Sequence, residues 1–391
     1  MISVAIVGVS GYVGGELARL LARHPHARVV SVVSETFAGK PLKSVFAGLA
    51  GSGVGELVCE HGGIEAAGVA GAELVFLAQD NGVSMVAAPK LLADGRRVID
   101  LAADFRLKDI AEWETFYKMP HSASDLLADS RTVYGLPEYH KDAIREARLI
   151  ANPGCHVTAA VLALAPLLSS GRIEPRGIVI DSKTGISGAG RAKSDLAFKF
   201  SEANESVAAY GVGGTHRHIP EIEQSLSAVA GEPVRVTFTP HLVPMTRGIF
   251  STCYGHLINP QTTATEITAD LRERYADAPF VVVRDAGDQL ERLHILTRAD
   301  VTTRNRRKAD RLGFAYDDLE QRIAALNEQE ELGAVRPDLD GEQIMVVLGV
   351  KPGREVGEAY RYLLEQRLDD GPLGEEEATR RLTHWWAERV Q

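Results

Sequence analysis

The first twenty-one residues constrain the fold more than any other stretch of the chain. Ile2 to Val7 is a short apolar, β-branched run that passes at once into Gly8-Val9-Ser10-Gly11-Tyr12-Val13-Gly14-Gly15-Glu16-Leu17. Beyond it, Leu17, Leu20 and Leu21 fall at helical spacing. A strand, a turn with glycines at positions 8, 11 and 14, and a helix form the opening of a βαβ unit. Such glycines permit a tight turn and let a pyrophosphate approach bare backbone, where the helix amino terminus attracts its charge. A glycine-rich turn taken alone is equally compatible with a purely structural role.

Context extends the reading. Arg28 to Val33 is a second strand about one βα unit later, where an adenosine ribose would lie. It ends in Ser34-Glu35-Thr36, with Gly39-Lys40 close behind. An acidic residue here favours NAD, whereas hydroxyls and a nearby cation favour the extra phosphate of NADP, and this segment holds both. Leu74 to Ala78 and Arg97 to Leu101 are further strand candidates, separated by a helix-like stretch from Ser84 to Leu92. The alternation predicts a parallel α/β sheet, a Rossmann domain.

At 391 residues the chain exceeds one ordinary core, and roughly 150 residues per domain predicts two or three domains. Hydrophobic residues at 45% and charged residues at 25% suit a soluble globular protein without a membrane span. The amino terminus carries no basic leader, so no signal peptide is expected. Three cysteines, Cys59, Cys155 and Cys253, are too scattered for a disulfide framework or a CxxC metal site, and a reducing cytoplasm is the expected location. A net charge of −10 argues against a nonspecific nucleic-acid coat while leaving room for a local basic patch.

The chemistry concentrates after residue 150. Asn152-Pro153-Gly154-Cys155-His156-Val157-Thr158 leads into the apolar run Ala159 to Leu168. A cysteine where a turn hands over to a helix sits among free backbone N–H groups that stabilise a thiolate, so Cys155 is a candidate nucleophile. The alternative is a buried small residue. Strands are predicted at Gly177 to Asp181, Val234 to Thr239 and Ile249 to His256, an α+β pattern. The loop Ser182 to Arg191 is glycine- and hydroxyl-rich and ends in a guanidinium suited to a phosphate or carboxylate. Thr215-His216-Arg217-His218-Ile219-Pro220-Glu221 offers a general acid/base and an anion clamp before a proline-started helix. As a metal pair, His-x-His is the weakest reading, since no ligand-spaced carboxylate or cysteine lies nearby, and no metal is expected. Arg247 is a third anion contact.

Seven blocks in order over residues 1–285 resemble the N-acetyl-gamma-glutamyl-phosphate reductase family. They are Gly8-x-Ser-Gly-Tyr-x-Gly-x-Glu-Leu17, Asp100-Leu-Ala-Ala-Asp-Phe-Arg106, Tyr134-Gly-Leu-Pro-Glu138, Asn152-Pro-Gly-Cys155, Ser187-Gly-Ala-Gly-Arg191, His216-Arg-His-x-Pro-Glu-Ile222 and Pro244-x-x-Arg-Gly248. The resemblance implies a Rossmann NADP-binding domain at 1–153 and an α+β catalytic and dimerisation domain of the semialdehyde-dehydrogenase type at 154–285. It implies NADPH-dependent reduction of an acyl phosphate through a Cys155 thioester in arginine biosynthesis, in a homo-oligomer. It further implies His216 or His218 as the acid/base, with His216 preferred. Arg106, Ser187, Arg191, Arg217 and Arg247 would meet the small-molecule substrate, and Gly8, Ser10, Gly11, Tyr12, Val13, Gly14, Ser34, Ser187 and Gly188 the cofactor. The chain departs from the family in two places. His156-Val157-Thr158 stands where Tyr-Pro-Thr is usual, and Gln79-Asp80-Asn81-Gly82 where Leu-Pro-His-Gly is usual. Both are compatible with a sister substrate, a carrier-bound aminoadipyl phosphate of lysine synthesis.

From about Asp285 the pattern changes, and the family's closing Asp-Asn-Leu-x-Lys-Gly-Ala-Ala-Gly segment is missing. An all-α tail is predicted over 286–391. Leu319, Ile323 and Leu326 share one helical face, Val356, Tyr360, Leu363 and Leu364 another, and Leu382, Trp385 and Trp386 close the chain. Through Leu293 to Asn305, Tyr316 to Ile323, Arg336 to Gly341 and Gly371 to Leu373 it resembles the carboxy-terminal region of bacterial tRNA nucleotidyltransferases, the CCA-adding enzymes. The basic run Arg304, Arg306, Arg307, Lys308 and Arg311 suits RNA phosphates, but interleaved acids favour a solvated face. The chain reads as two incomplete families joined near residue 285, and a catalytically impaired fusion acting as a tRNA-binding module is the alternative to an active reductase.

Overall fold

The computed structural model describes residues 1–191, 205–284, 337–370 and 373–389. The chain divides into two compact units, Met1–Asp285 and Ala286–Gln391.

The first unit opens with strand β1 (Ile2–Val7), whose Val4 to Val7 are fully buried. Its side chains alternate between two cores, because a central parallel strand is covered on both faces. Ala5 and Val7 join Val75, Leu77, Val98 and Trp113 on one face. Val4 and Ile6 join Val29, Val32, Ala18 and Leu42 on the other. With β2 (Ala27–Val33), β3 (Leu74–Leu77), β4 (Arg97–Asp100), β5 (Thr132–Tyr134) and β6 (Leu149–Ala151) it forms an all-parallel sheet in the order β2-β1-β3-β4-β6-β5. Sequence patterning misses β5 and β6, since three residues are too few for a period to show. Pairing with β4 makes β6 a strand, and Asn152 N–H donates to the Asp100 carbonyl at 2.8 Å as the chain leaves it.

Gly8 ends β1 at φ +89°, with the position of a Cβ only 2.4 Å from the Ala78 carbonyl oxygen beyond β3. A side chain at Gly14 would meet the Gly8 carbonyl at 2.6 Å. The chain itself therefore requires both glycines. At Gly11 a Cβ would make only an ordinary 3.6 Å contact, so the bare backbone there faces open space.

The helix Cys155–Ser169 is apolar around most of its circumference because it is covered on several sides. Val157, Val161 and Leu164 pack with Ile180, Ile222, Leu226 and Phe238 from a mixed sheet and from the helix Ile219–Ala230. That sheet runs β10-β7-β9-β8, from β7 (Ile178–Thr184), β8 (Ala208–Ala209), β9 (Val236–Leu242) and β10 (Ile249–Tyr254). β7 and β9 continue past the predicted ends. Their alternation persists through the polar residues Ser182 and Thr184, which point inward and are buried. Among the described residues β10 is an edge strand, with Phe250 and Tyr254 largely exposed.

In the carboxy-terminal unit, three helices, Gly341–Leu348, Arg354–Asp370 and Glu375–Arg389, enclose their own core of Leu339, Ile344, Ala359, Leu363, Ala378 and Leu382. Asp340 caps the first in a reciprocal box with Gln343, Tyr362 stacks on Trp385 at 4.9 Å, and Arg367 pairs with Asp338. Of the predicted face Val356, Tyr360, Leu363 and Leu364, Leu363 lies in this core and Val356 and Tyr360 pack against it. Leu319, Ile323, Leu326 and the basic run from Arg304 to Arg311 lie outside the described residues. No described helix is long and apolar enough to cross a membrane.

Candidate active site

The carboxyl ends of the parallel strands carry both halves of the site. β1 leads into the glycine turn and β6 into Asn152-Pro153-Gly154-Cys155, the edge where open α/β sheets bind their ligands. Cys155 begins its helix and is exposed. The sequence predicts a lowered thiol pKa there, yet the structure has the opposite sign. Loss of water in a crowded recess pushes the thiol up, against the weaker pull of the His156 backbone N–H and the Arg106 guanidinium.

Glu221 organises this corner, and sequence reasoning assigned it no role. It is 1% exposed, and its Oε1 accepts from the Gly154 N–H at 2.8 Å and from the Tyr134 hydroxyl at 2.7 Å. Arg106 brings Nη1 to 3.6 Å of the other carboxylate oxygen and donates from Nη2 to the Leu101 carbonyl at 3.0 Å. The proline-started helix and the Asp100 block thus meet directly behind the cysteine. The signal available in sequence was the acidic residue in the first turn of that helix.

His156, His216 and His218 cluster in front, with ring centroids 4.8–5.7 Å apart. Burial holds all three neutral. It brings His156 and His216 down to about 4 and His218 well below its ordinary value. His216 Nδ1 already accepts the His218 backbone N–H at 3.1 Å. His218 Nδ1 has no partner, and its Nε2 edge packs against Gly154, where a Cβ would lie 2.6 Å away. His218 is thus the imidazole whose ring lies against the cysteine turn. His156 Nδ1 lies 2.8 Å from Ser182 Oγ and Nε2 3.0 Å from the Tyr210 hydroxyl. Arg217 lies over the Tyr117 ring at 5.8 Å.

Arg191 and Arg247, expected at the substrate, make their protein contacts around the glycine turn. Arg191 Nη1 donates to the Ser10 carbonyl at 3.0 Å, and its guanidinium sits over Phe37 and Phe46 at 5.6 and 5.3 Å. Ser10 and Ser34 share a 2.9 Å hydroxyl contact in the same corner. Arg247 pairs with Glu16 on the helix Tyr12–Leu21 at 3.1 Å. Both therefore address the glycine turn and its helix, because the loop after β7 and the Pro244 to Gly248 loop pack on each other. Ser187 N–H donates to the Thr246 carbonyl at 3.1 Å, and Gly185 would clash with Arg247 if it carried a Cβ. Ser187 and Gly188 lie in a single 3-10 turn, Ile186–Ala189. Tyr12 and Val13, at the start of a helix with no side-chain cap, are exposed.

These features fit a dinucleotide. An open bare backbone at Gly11 leads into an uncapped helix amino terminus. Serine hydroxyls and a guanidinium lie at the end of β2.

Comparison with known proteins agrees. Residues 3–147 match the family model of the semialdehyde dehydrogenase NAD binding domain, and residues 155–326 that of the semialdehyde dehydrogenase dimerisation domain. The second match runs past residue 285, where the sequence pattern changes. The chain is 50% identical over 288 residues to the N-acetyl-gamma-glutamyl-phosphate reductase of Symbiobacterium thermophilum, covering 73% of this chain and 80% of that protein. It is 46% identical over 291 residues to the enzyme of the same name from Marinobacter nauticus, covering 74% and 82%. Among solved structures, aspartate semialdehyde dehydrogenase II from Vibrio cholerae shares the fold, with a TM-score of 0.51 at 18% identity over 70% of this chain and 79% of that one. The Candida albicans aspartate semialdehyde dehydrogenase, solved with NADP, has a TM-score of 0.50 at 15% identity, over 70% and 76%. Sequence identity at this level over most of both chains, with the two domain models meeting at the Cys155 turn, places this chain in the N-acetyl-gamma-glutamyl-phosphate reductase family.

Proposed function

We propose that this protein reduces N-acetyl-gamma-glutamyl phosphate to N-acetylglutamate semialdehyde with NADPH, through a thioester on Cys155. The observation that carries the reading is an exposed cysteine at a helix start, held between Glu221, Arg106 and the neutral histidines, on the sheet edge that also bears the glycine turn. His218, held neutral by burial and with its Nε2 edge against the cysteine turn, takes the thiol proton. The thiolate attacks the acyl carbon and phosphate leaves. When bound at the glycine turn, NADPH would supply a hydride for reduction of the thioester. His218 returns its proton to the oxygen and removes it again as the carbon–sulfur bond breaks. Arg106 and Arg217 supply positive charge for the anionic substrate.

Purified protein assayed in the reverse direction, with semialdehyde, phosphate and NADP, tests this. Cys155→Ala is expected to lower turnover at least about a thousandfold. His218→Asn is expected to cost about 10²–10⁴-fold and His216→Asn less. Turnover that survives Cys155→Ala would end the thioester reading.

The preference for NADP rests on Arg191, Ser10 and Ser34, a guanidinium and two hydroxyls where the ribose 2′-phosphate would lie. Arg191→Ala should weaken NADP binding about tenfold or more while leaving NAD binding nearly unchanged, as read by titration of protein fluorescence. Equal weakening of both would remove this role. The dimerisation-domain match supports a homo-oligomer. For the carboxy-terminal unit, a helical core of its own supports an appended module. Salt-dependent tRNA binding lost on deleting residues 290–391 tests its resemblance to CCA-adding enzymes.

A further inference from the structure

Between β4 and the helix Ile110–Tyr117 the chain runs through Arg106 and Lys108 as turns, so neither a ladder nor a helix fixes its backbone there. Phe105 and Leu107 are buried in the core beside the parallel sheet, but apolar contact has little directionality. The Arg106 guanidinium itself is held unevenly. Nη2 donates to the Leu101 carbonyl, Nη1 stands 3.6 Å from the Glu221 carboxylate, beyond hydrogen-bond reach, and the buried Nε has no partner among the described residues. Where the charge sits therefore depends on where the backbone of Arg106 is fixed. Gln224 fixes it. Its Oε1 accepts the Lys108 N–H at 2.8 Å and its Nε2 donates to the Arg106 carbonyl at 3.0 Å. One amide thus closes on the two main-chain groups that flank Leu107, as a residue of a neighbouring parallel strand would.

Resting on the reading of Arg106 as a contact for the anionic substrate, we propose that Gln224 is a positioning residue that fixes the Arg106 guanidinium relative to the Cys155 turn. Gln224 and Glu221 lie three residues apart on the helix Ile219–Ala230, on one face. Glu221 accepts from the Gly154 N–H and faces the guanidinium, while Gln224 holds the main chain from which that guanidinium springs. The helix is then one rigid ruler between the cysteine turn and the cation. Gln224 acts on substrate only through Arg106.

The test is a double-mutant cycle on the full-length protein, assayed with semialdehyde, phosphate and NADP. Arg106→Met identifies which anionic substrate the guanidinium serves, by the KM it raises. Gln224→Met keeps the length of the side chain and loses both hydrogen bonds, and is expected to raise that same KM about tenfold with KM for NADP unchanged. A purely structural loss would lower the active fraction, and so the apparent kcat, while leaving KM alone. The double variant is expected to match Arg106→Met, because effects of independent sites would multiply. An unchanged KM in Gln224→Met, where Arg106→Met raises it, overturns the proposal, as does a double variant about tenfold worse than Arg106→Met. Arg106→Met without effect on either KM would overturn the reading of Arg106 and the proposal with it. If Arg106→Met does not fold, Gln224→Met decides alone: a rise in KM for semialdehyde or phosphate but not NADP supports the proposal, and a change confined to kcat overturns it.

Discussion

Glu221 links the backbone of the cysteine turn to a buried cation and a tyrosine, so its charge matters more than its volume. Glu221→Gln keeps an acceptor for the Gly154 N–H but leaves the Arg106 guanidinium, whose side chain is only 10% exposed, without its counter-charge. The expected cost is about 3 kcal/mol, read as a lower urea midpoint at unchanged slope. The Cys155 thiol pKa should fall in the same variant, because the Glu221 charge helps to hold it up. A variant as stable as the parent would show that Arg106 finds its compensation elsewhere. The residue-level lesson from sequence is mixed. Cys155 and the His216 to His218 cluster are legible because chemistry-bearing side chains crowd a turn and a helix start. Arg191 and Arg247 are legible as candidate anion contacts but not as neighbours of the glycine turn. Their loops fold onto the glycine helix, and only tertiary contacts reveal that.

The glycine turn is the element whose sequence and structure agree most closely. Its strand is apolar apart from Ser3, its helix has one apolar stripe, and Gly8 closes the turn with a positive φ and backbone contact on its α-carbon. Gly8→Ala combines a left-handed residue with a Cβ 2.4 Å from the Ala78 oxygen, so β1 and β3 must separate. A loss of about 1–3 kcal/mol in stability is expected, together with loss of dinucleotide binding, by thermal melting and fluorescence titration. Unaltered binding would mean that the turn relaxes without moving the helix. The short strands β5 and β6 teach the opposite lesson. Three residues carry no readable period, and pairing with β4 alone makes them strands and delivers the chain to Cys155.

At the scale of the molecule, the buried histidines set the response to acid. Burial depresses His156, His216 and His218, so between their folded values near or below about 4 and the ordinary value of 6.5 the unfolded chain binds more protons. Their contribution is complete above about pH 6.5 and is lost as pH falls toward 4. Asp100 acts in the reverse sense. Burial raises its carboxyl to about 6, so the folded state binds the extra proton and stability falls as pH rises from about 4 to 6. Three histidines against one carboxyl predict a net loss of stability on acidification through this window. Urea unfolding of residues 1–285 as a function of pH checks it, and a flat profile would show that the histidines are already solvated. Asp100→Asn should steepen the acid loss by removing the opposing group.

The sequence by itself determined the elements with long or mostly apolar patterns: β1, the glycine turn and its helix, the cysteine helix, and the helical character of the chain after residue 337. The candidate chemistry was legible as well, because a cysteine at a helix start, a histidine cluster and a glycine turn are local arrangements. Only the tertiary structure decided which groups meet. It put Glu221 and Arg106 behind the cysteine, gave His218 the place beside Gly154, sent Arg191 to Ser10 and joined His156 to Tyr210. It also reversed the sign of the Cys155 shift, since a helix terminus is local while desolvation depends on every wall of the recess.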